Sequence, residues 1–506
     1  MGNTGEVAPG ASIFDPTPGQ PDVAPKSLDT HTVGKAYNST NGALQPKVQQ
    51  IVKAAGNYFH LADGSVVFDA VGGAAVTSIG HGDKRVKDAI CKQIDTVEYC
   101  RSSLFSTKAS ADLAAHLVRT TRGAMKRAMI VSSGTEANEV MMKLCILHFR
   151  AIGQPQRVRF IARKGSYHGS SVSMLALGHN KRRRMMYTGV MALDGPNVSH
   201  VSRAHTFRDS PEGETETEYV ARLAEELEHE FQRVGPETVC AFVAEPIVGA
   251  GLGASCAPKG YFKAVKQICE RYGALLVLDE VMCGLGRSGT YHAWQHPDID
   301  VAPDLQTVGK TLGGGYMPVA SLLIGQKVAR SMEERGELFV HGATYEDHPV
   351  AAAAALQVQQ IMKSEGLVEN ARMQGIRMLA RLEERLGSHP CVCHIRGRGL
   401  FCGSVQIEIA QPHSKESYPS DMKIAYRIRD AGLALPHEVT KALGFNGISL
   451  FPMQGCADGL EGDVVMLMPA FNVTADDVDK IVEAFAAAVE TLLGVDGSLV
   501  ANELAV

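Results

Sequence analysis

The sequence has no apolar run approaching the roughly 18 residues that a bilayer-crossing helix requires, so no membrane span is expected. It also lacks long blocks of one charge sign. A formal net charge of -5 is spread along the chain and leaves no electrostatic footprint for nucleic acid or an anionic membrane surface. Nothing at the start reads as a secretory leader. Residues 1–30, rich in Pro, Gly and Asp, contain no Arg, which argues against a transit peptide and for a disordered arm. The expected location is intracellular, in the cytoplasm, with reduced thiols. The eleven cysteines lack zinc-site spacing. Their closest group, Cys391-Val-Cys393-His394, has no second ligand pair, so no metal is expected. The one basic run, Lys181-Arg182-Arg183-Arg184, reads as a solvated loop or a phosphate-facing rim.

What is present is the composition of a globular protein: 506 residues, 45% hydrophobic and 21% charged, with room for two or three domains. From about residue 125, β-rich runs alternate with longer amphipathic ones. RAMIVSS (127–133), VRFIA (158–162), VCAFVAEP (239–246), ALLVLDE (274–280) and VASLLIG (319–325) lack the alternation of a one-sided sheet. They suit a parallel sheet covered on both faces. Between them, Val220, Leu223, Leu227, Phe231 and Val234 form a stripe at helical spacing that must face a core. Residues 58–80 are expected to form a small antiparallel unit about the turn Asp63-Gly64, and residues 392–408 a strand pair interrupted by Gly397 and Gly399. Long helices are expected over 365–387 and 474–493. The fold class is therefore α/β: a large central domain, residues 101–365, with a mostly parallel sheet covered by helices, and a smaller α+β domain built from residues 31–100 and 366–506.

Four motifs carry chemistry. YGALLVLDEVMCGLGRSG (272–289) satisfies G-x-G-x-x-G through Gly284, Gly286 and Gly289, but a dinucleotide fingerprint requires those glycines to open a helix. The following TYHAWQHPDIDVAPD has prolines and no helical stripe, so no nucleotide loop is expected and the acids ahead of the glycines become the point of interest. In TVGKTLGGG (307–315) the glycines follow the lysine, so no P-loop nest can form. Lys310 instead sits in an apolar, Gly-rich setting, and a lysine held in a dry pocket loses its proton readily and can form Schiff bases. In SSGTEANE (132–139), Ser133 with Glu136 reads as a capping box. Gly134 and Thr135 offer N–H groups and a hydroxyl at a positive helix end, which suits a phosphate. GSYHGSS (165–171) places Tyr167 just past a strand end, where open α/β sheets bind ligands; packing is the other role open to it.

Together with YFHLADGSVVFDAVGGAAVTSIGHGDKRVKDAI (58–90), AFVAEPIVGAGLG (241–253), LVLDEVMCGLGRSG (276–289), VGKTLGGGYMP (308–318), HGATYEDHPVAAAAAL (341–356) and RGRGL (396–400), these motifs make the chain resemble the class III, ornithine and ω-aminotransferase-like family of pyridoxal-phosphate enzymes. The resemblance implies PLP fold type I, pyridoxal 5'-phosphate as cofactor, and a transaminase that moves an amino group from a primary amine or ω-amino donor to a keto acid by a ping-pong cycle. It implies that Lys310 holds the cofactor aldehyde as an imine and later moves a proton at the substrate Cα, and that Asp279 keeps the pyridine nitrogen protonated. Val281, on the same side of the strand as Asp279, would support one face of the ring and Tyr167 the other. Ser133, Gly134 and Thr135 would bind the phosphate, joined by Thr344 from the neighbouring subunit, so the resemblance implies an obligate homodimer with shared active sites. The alanine run 351–355 would allow close helix approach in keeping with one.

One family feature is missing. Several relatives that use ω-amino acids read the substrate α-carboxylate with an arginine that pairs, when idle, with the glutamate of E-P. Glu245 is present, whereas Met466 in DVVMLMPAF (463–471) stands at the arginine's position and cannot supply its bidentate geometry. The implied donor is an amine, diamine or long-chain amino compound, unless Arg398 or Arg208 substitutes. A racemase, aminomutase or decarboxylase on the same cofactor is the alternative enzyme. A non-catalytic binding protein would have lost the lysine or the acid, and both are present.

Overall fold

The β-rich runs gather into one sheet. The structure, a computed structural model, describes residues 49–194, 197–335, 339, 341–401 and 406–500; the arm expected over residues 1–30 lies outside them. Seven strands lie in the order Met125–Val131, Ala320–Gly325, Leu305–Val308, Leu275–Asp279, Val239–Ala244, Arg159–Arg163 and Val198–Val201. All run parallel except Ala320–Gly325, which is antiparallel to both neighbours. That strand was expected in the parallel set; a buried antiparallel strand flanked on both sides has the same continuous apolar composition, so its direction leaves no mark on the sequence. Leu305–Val308 and Val198–Val201, four residues each, are strands that the sequence reading did not single out, being too short to carry a period.

The absence of alternation has the expected cause. Leu275 and Val277 join the core under helix Gly134–Ala151, while Leu276 and Leu278 join the opposite core under helices Glu216–Val234 and Tyr261–Tyr272. Both faces of the sheet are buried. On Glu216–Val234 the fully buried stripe is Tyr219, Leu223, Leu227 and Phe231. Tyr219 thus takes the deep position expected of Val220, which is only partly buried beside it.

Around the turn at Asp63-Gly64, strands Ile51–Ala55, Tyr58–Leu61 and Val66–Asp69 form the expected antiparallel unit. Gly447–Ser449 adds to it in parallel beside Val66–Asp69, which ties the two ends of the chain into one sheet. Strands Val392–Arg396 and Gln406–Ile409 pair antiparallel within a third sheet that includes Asp463–Met466. Helices Leu367–Leu386 and Ala475–Leu493 share a core. The alanine run is absorbed within its own chain, where Ala351, Ala352 and Ala355 pack with Leu113 and Leu117, so it carries no argument for a dimer.

The glycine-rich stretch after Asp279 is a turn: Gly286 and Gly289 have φ of 96 and 83°, which a β-carbon would disfavour. No helix begins there beyond the single 3-10 turn Ala293–Gln295. Within it the buried Arg287 donates to the carbonyls of Thr77, Leu400, Met468 and Pro469 and lies 4.4 Å from the Phe471 ring centre. It joins segments that are distant in sequence. No helix among the described residues is long and apolar enough to cross a membrane.

Candidate active site

Open α/β sheets collect ligands at the carboxyl ends of their parallel strands, and there the expected residues converge. Ser133, Gly134, Thr135, Tyr167, Glu245, Asp279, Val281 and Lys310 line one cavity of about 290 Å³. Thr344, Met466 and Arg398 do not line it. Thr344 offers its carbonyl to the Tyr99 hydroxyl at 2.9 Å. Arg398 pairs with Asp298 at 2.7 Å. Arg208 is bound to the buried Glu408. A second cavity of about 350 Å³ along Lys164, Arg203 and Arg222 contains neither Lys310 nor Asp279, and its two arginines are already paired with Asp209 and Glu214.

Asp279 is the last residue of its strand. The period of two along the strand turns it to the side of Leu275 and Val277, towards helix Gly134–Ala151. Asn138 on that helix donates to its Oδ2 at 2.9 Å, and His168 Nδ1 donates to the same oxygen at 2.8 Å. Oδ1 accepts from the Val281 N–H at 3.0 Å and from the Thr307 hydroxyl at 3.2 Å. Burial alone would push this carboxyl up, but the His168 hydrogen bond and charge, with the Val281 and Asn138 bonds, outweigh it and hold the group below the ordinary aspartate value. Asp279 is therefore a buried carboxylate that keeps its charge at neutral pH. Val281, expected on the same strand as Asp279, lies instead in the turn beyond it, because the strand ends at Asp279.

The sequence reading missed Asn138, His168 and Thr307 as supports of Asp279. His168 and Asn138 stand inside motifs it quoted, SYHG and SSGTEANE, yet only the fold brings them to the acid. Glu280, the second acid of the pair, serves the fold instead, because its carboxylate accepts from Ala293 and Trp294 N–H groups at 2.7 and 2.8 Å. Burial pushes it up to about 8.

Lys310 follows strand Leu305–Val308, and its Nζ donates to the Ala74 carbonyl at 2.9 Å. Its backbone has φ of 45°, a left-handed conformation that costs a non-glycine residue about 1 kcal/mol and that tends to persist where function requires it. Burial lowers its ammonium to about 8; Asp279 and Glu245 pull it up, and Arg287 and Arg183 push it further down. A depressed value means that the reactive neutral amine appears as pH rises through about 8. Labelling of the apoprotein with a small acylating reagent, followed by peptide mass spectrometry, is expected to modify Lys310 with a midpoint near pH 8, where surface lysines titrate near about 10.4. An ordinary midpoint would mean that the pocket is not dry.

Helix Gly134–Ala151 begins at the cavity. Ser133 caps it, Oγ accepting from Glu136 N–H at 3.2 Å, but Glu136 reaches back to the N–H of Ser132 at 2.8 Å and not to that of Ser133, so the capping box is displaced by one residue. A β-carbon at Gly134 would come within 2.6 Å of Val281 Cγ1, so only glycine lets the helix start this close to the turn after Asp279. Glu245 spends its oxygens on the N–H groups of Tyr167 and Gly249, at 3.0 and 2.9 Å. Burial raises it to about 7, with His168 pulling it down and Asp279 pushing it up. Met466 is fully buried in an apolar cluster with Met282, Phe401 and Val464, so no cation stands at that position.

Pyridoxal phosphate fits this donor set. It needs an amine that is neutral near physiological pH, an anion for its ring nitrogen, and N–H donors for its phosphate. The cavity offers Lys310, Asp279, and the Ser133–Thr135 helix start, where the absent β-carbon of Gly134 leaves room.

The model of a family described as aminotransferase class-III matches residues 40–489. An aminotransferase of Gibberella zeae is 42% identical over 454 residues, which is 89% of this chain and 86% of that one. An uncharacterized aminotransferase of Schizosaccharomyces pombe is 41% identical over 435 residues, 86% and 91% of the two chains. Among solved structures, an amine transaminase from an uncultivated Pseudomonas species in its PLP-bound form matches with a TM-score of 0.79 at 27% identity, over 90% of this chain and 97% of that one.

Proposed function

The chain belongs to the class-III aminotransferases, pyridoxal-phosphate-dependent transaminases of fold type I, and on that premise we propose which residues do the work and which donors they serve. One observation carries the assignment: a lysine amine lowered by burial and an aspartate held charged by four donors line the same cavity.

When bound, pyridoxal phosphate supplies an aldehyde that takes up amino groups and a cationic ring that accepts electron density. Lys310 would hold the aldehyde, and its free amine would move the proton at the substrate Cα. Asp279 keeps a proton on the ring nitrogen, and His168, Asn138 and Thr307 fix its carboxylate in place. Tyr167 and Val281, both in the lining, would wall the ring. Ser133, Gly134 and Thr135 receive the phosphate at the positive end of the helix. The partner subunit's Thr344 completes that site in a homodimer. Two facts support this. Thr344 does not line the cavity of its own chain, and Tyr99 and Tyr345 beside it, ring centres 5.9 Å apart, remain largely exposed, as surfaces awaiting a partner do.

The donor is an amine, diamine or long-chain amino compound, and the acceptor is a keto acid. Met466 stands where several relatives carry an arginine, and a neutral or cationic substrate end suits a cavity that already holds two acids. In the test, purified holoenzyme is mixed with each donor, and the visible cofactor band is followed together with keto-acid consumption. Primary amines and diamines are expected to shift the band, and pyruvate or 2-oxoglutarate to restore it with stoichiometric transfer. A strong preference for ornithine over simple primary amines would overturn the donor assignment.

A further inference from the structure

A keto acid brings a carboxylate into a cavity that is poor in cations. Glu245 and Asp279 are both in the lining, and among the described residues Lys310 is the only Lys or Arg there. An unpartnered carboxylate beside two buried acids would be strongly disfavoured. Among the described residues of the chain, a cation for it has to come from beside the lining.

Residues Lys181–Arg184 form a single helical turn capped by Asn180, whose Oδ1 accepts from the Arg183 N–H at 3.2 Å. Two of the four basic side chains are hydrogen-bonded to the protein, and a third packs by its stem. The stem of Lys181 lies against Gly459. Arg182 donates to Gln454 Oε1 and to the Leu460 carbonyl at 3.1 and 3.0 Å, and Arg184 donates to the Gly178 carbonyl at 2.9 Å. The guanidinium of Arg183 makes no hydrogen bond or ion pair with any described residue, and its Cζ lies 4.7 Å from the centre of the Tyr167 ring. A stacked guanidinium uses its face and leaves its in-plane N–H fork open, the geometry that grips a carboxylate. Tyr167 is itself a wall of the cavity, and the Arg183 charge reaches as far as Lys310.

We propose that Arg183, stacked on Tyr167 at the cavity rim, reads the carboxylate of the keto acid acceptor and of the amino acid made from it. It replaces, from a different element, the arginine whose position Met466 occupies. The inference rests on the acceptor assignment above, and the test separates the two. Holoenzyme with Arg183→Gln or Arg183→Lys is titrated with propionate, an unreactive carboxylate, through its cofactor absorbance. The ratio of kcat/KM for pyruvate to that for propanal is measured alongside. In R183Q the propionate Kd is expected to rise, and the pyruvate-to-propanal ratio to fall, by about tenfold to a hundredfold, the worth of a hydrogen bond to a charged group. R183K should recover part of both, because lysine restores the charge without the fork.

A propionate Kd and substrate ratio unchanged in R183Q would overturn the proposal, as would a wild-type enzyme that does not bind propionate. Equal losses on pyruvate and propanal would also overturn it, since an arginine that only braces Tyr167 affects every acceptor alike. Propionate binding that depends on Arg183 in an enzyme that exchanges no amino group with any keto acid would support the carboxylate site and refute the acceptor assignment.

Discussion

Lys310→Ala is expected to reduce amino-group exchange by about ten-thousandfold, the upper end of what one positioned acid–base group contributes. On the proposed assignment one amine has two roles, carrying the cofactor and moving the proton at Cα. No neighbour can take over: among the described residues the other ionisable groups of the cavity are the two acids, Glu245 and Asp279, His168, which is already turned to Asp279, and Tyr167, whose phenol cannot form an imine. The loss should be specific to the chemistry. Asp279 and the start of helix Gly134–Ala151 are untouched, so the variant should still retain cofactor without covalent attachment, visible as a shifted absorption band. Its backbone should relax, because alanine gains nothing from the φ of 45° that Lys310 adopts. Single-turnover transfer from a primary amine is the decisive measurement, and a rate within tenfold of wild type would remove Lys310 from the mechanism.

Asp279→Asn should lower kcat by about a hundredfold to a thousandfold, the usual effect of losing one preorganised electrostatic contact in a dry site. The substitution keeps the shape and removes the charge, so the ring nitrogen loses the anion that holds its proton. It also carries a structural cost. All four groups facing the carboxylate, from Asn138, His168, Val281 and Thr307, donate to it, and an amide must turn its own N–H groups towards one pair of them. Activity and thermal midpoint should be measured together: a small fall in stability with a large fall in kcat is expected. A kcat within threefold of wild type would show that the charge at position 279 is not needed. Wild-type Asp279 is held below the ordinary carboxylate value, so its charge persists throughout the neutral range.

Much of the sheet was legible because burial on both faces writes itself into composition. Residues 275–278 and Val239–Ala244 are continuous apolar runs in sequence, and each of their residues is buried in the structure. The direction of Ala320–Gly325 was not legible, because pairing geometry leaves apolar content unchanged. Nor were the short strands Leu305–Val308 and Val198–Val201, which are recruited by neighbours already in place.

The site divides along the same line. Lys310, Asp279 and the Ser133–Thr135 helix start belong to local motifs whose chemistry can be read from adjacent residues, and the sequence by itself determined them together with the family. The surroundings that make them reactive come from long-range contacts. Asn138 and His168 meet Asp279 across separations of 141 and 111 residues, and Arg183, one of four basic residues alike in sequence, is set apart only by lying over Tyr167 while its neighbours are bound elsewhere. Which groups are present is a property of the chain. Which of them are dry, charged or left without a partner depends on what the folded chain packs against them, because proton affinity and hydrogen bonding respond to surroundings within a few ångströms and not to position along the sequence.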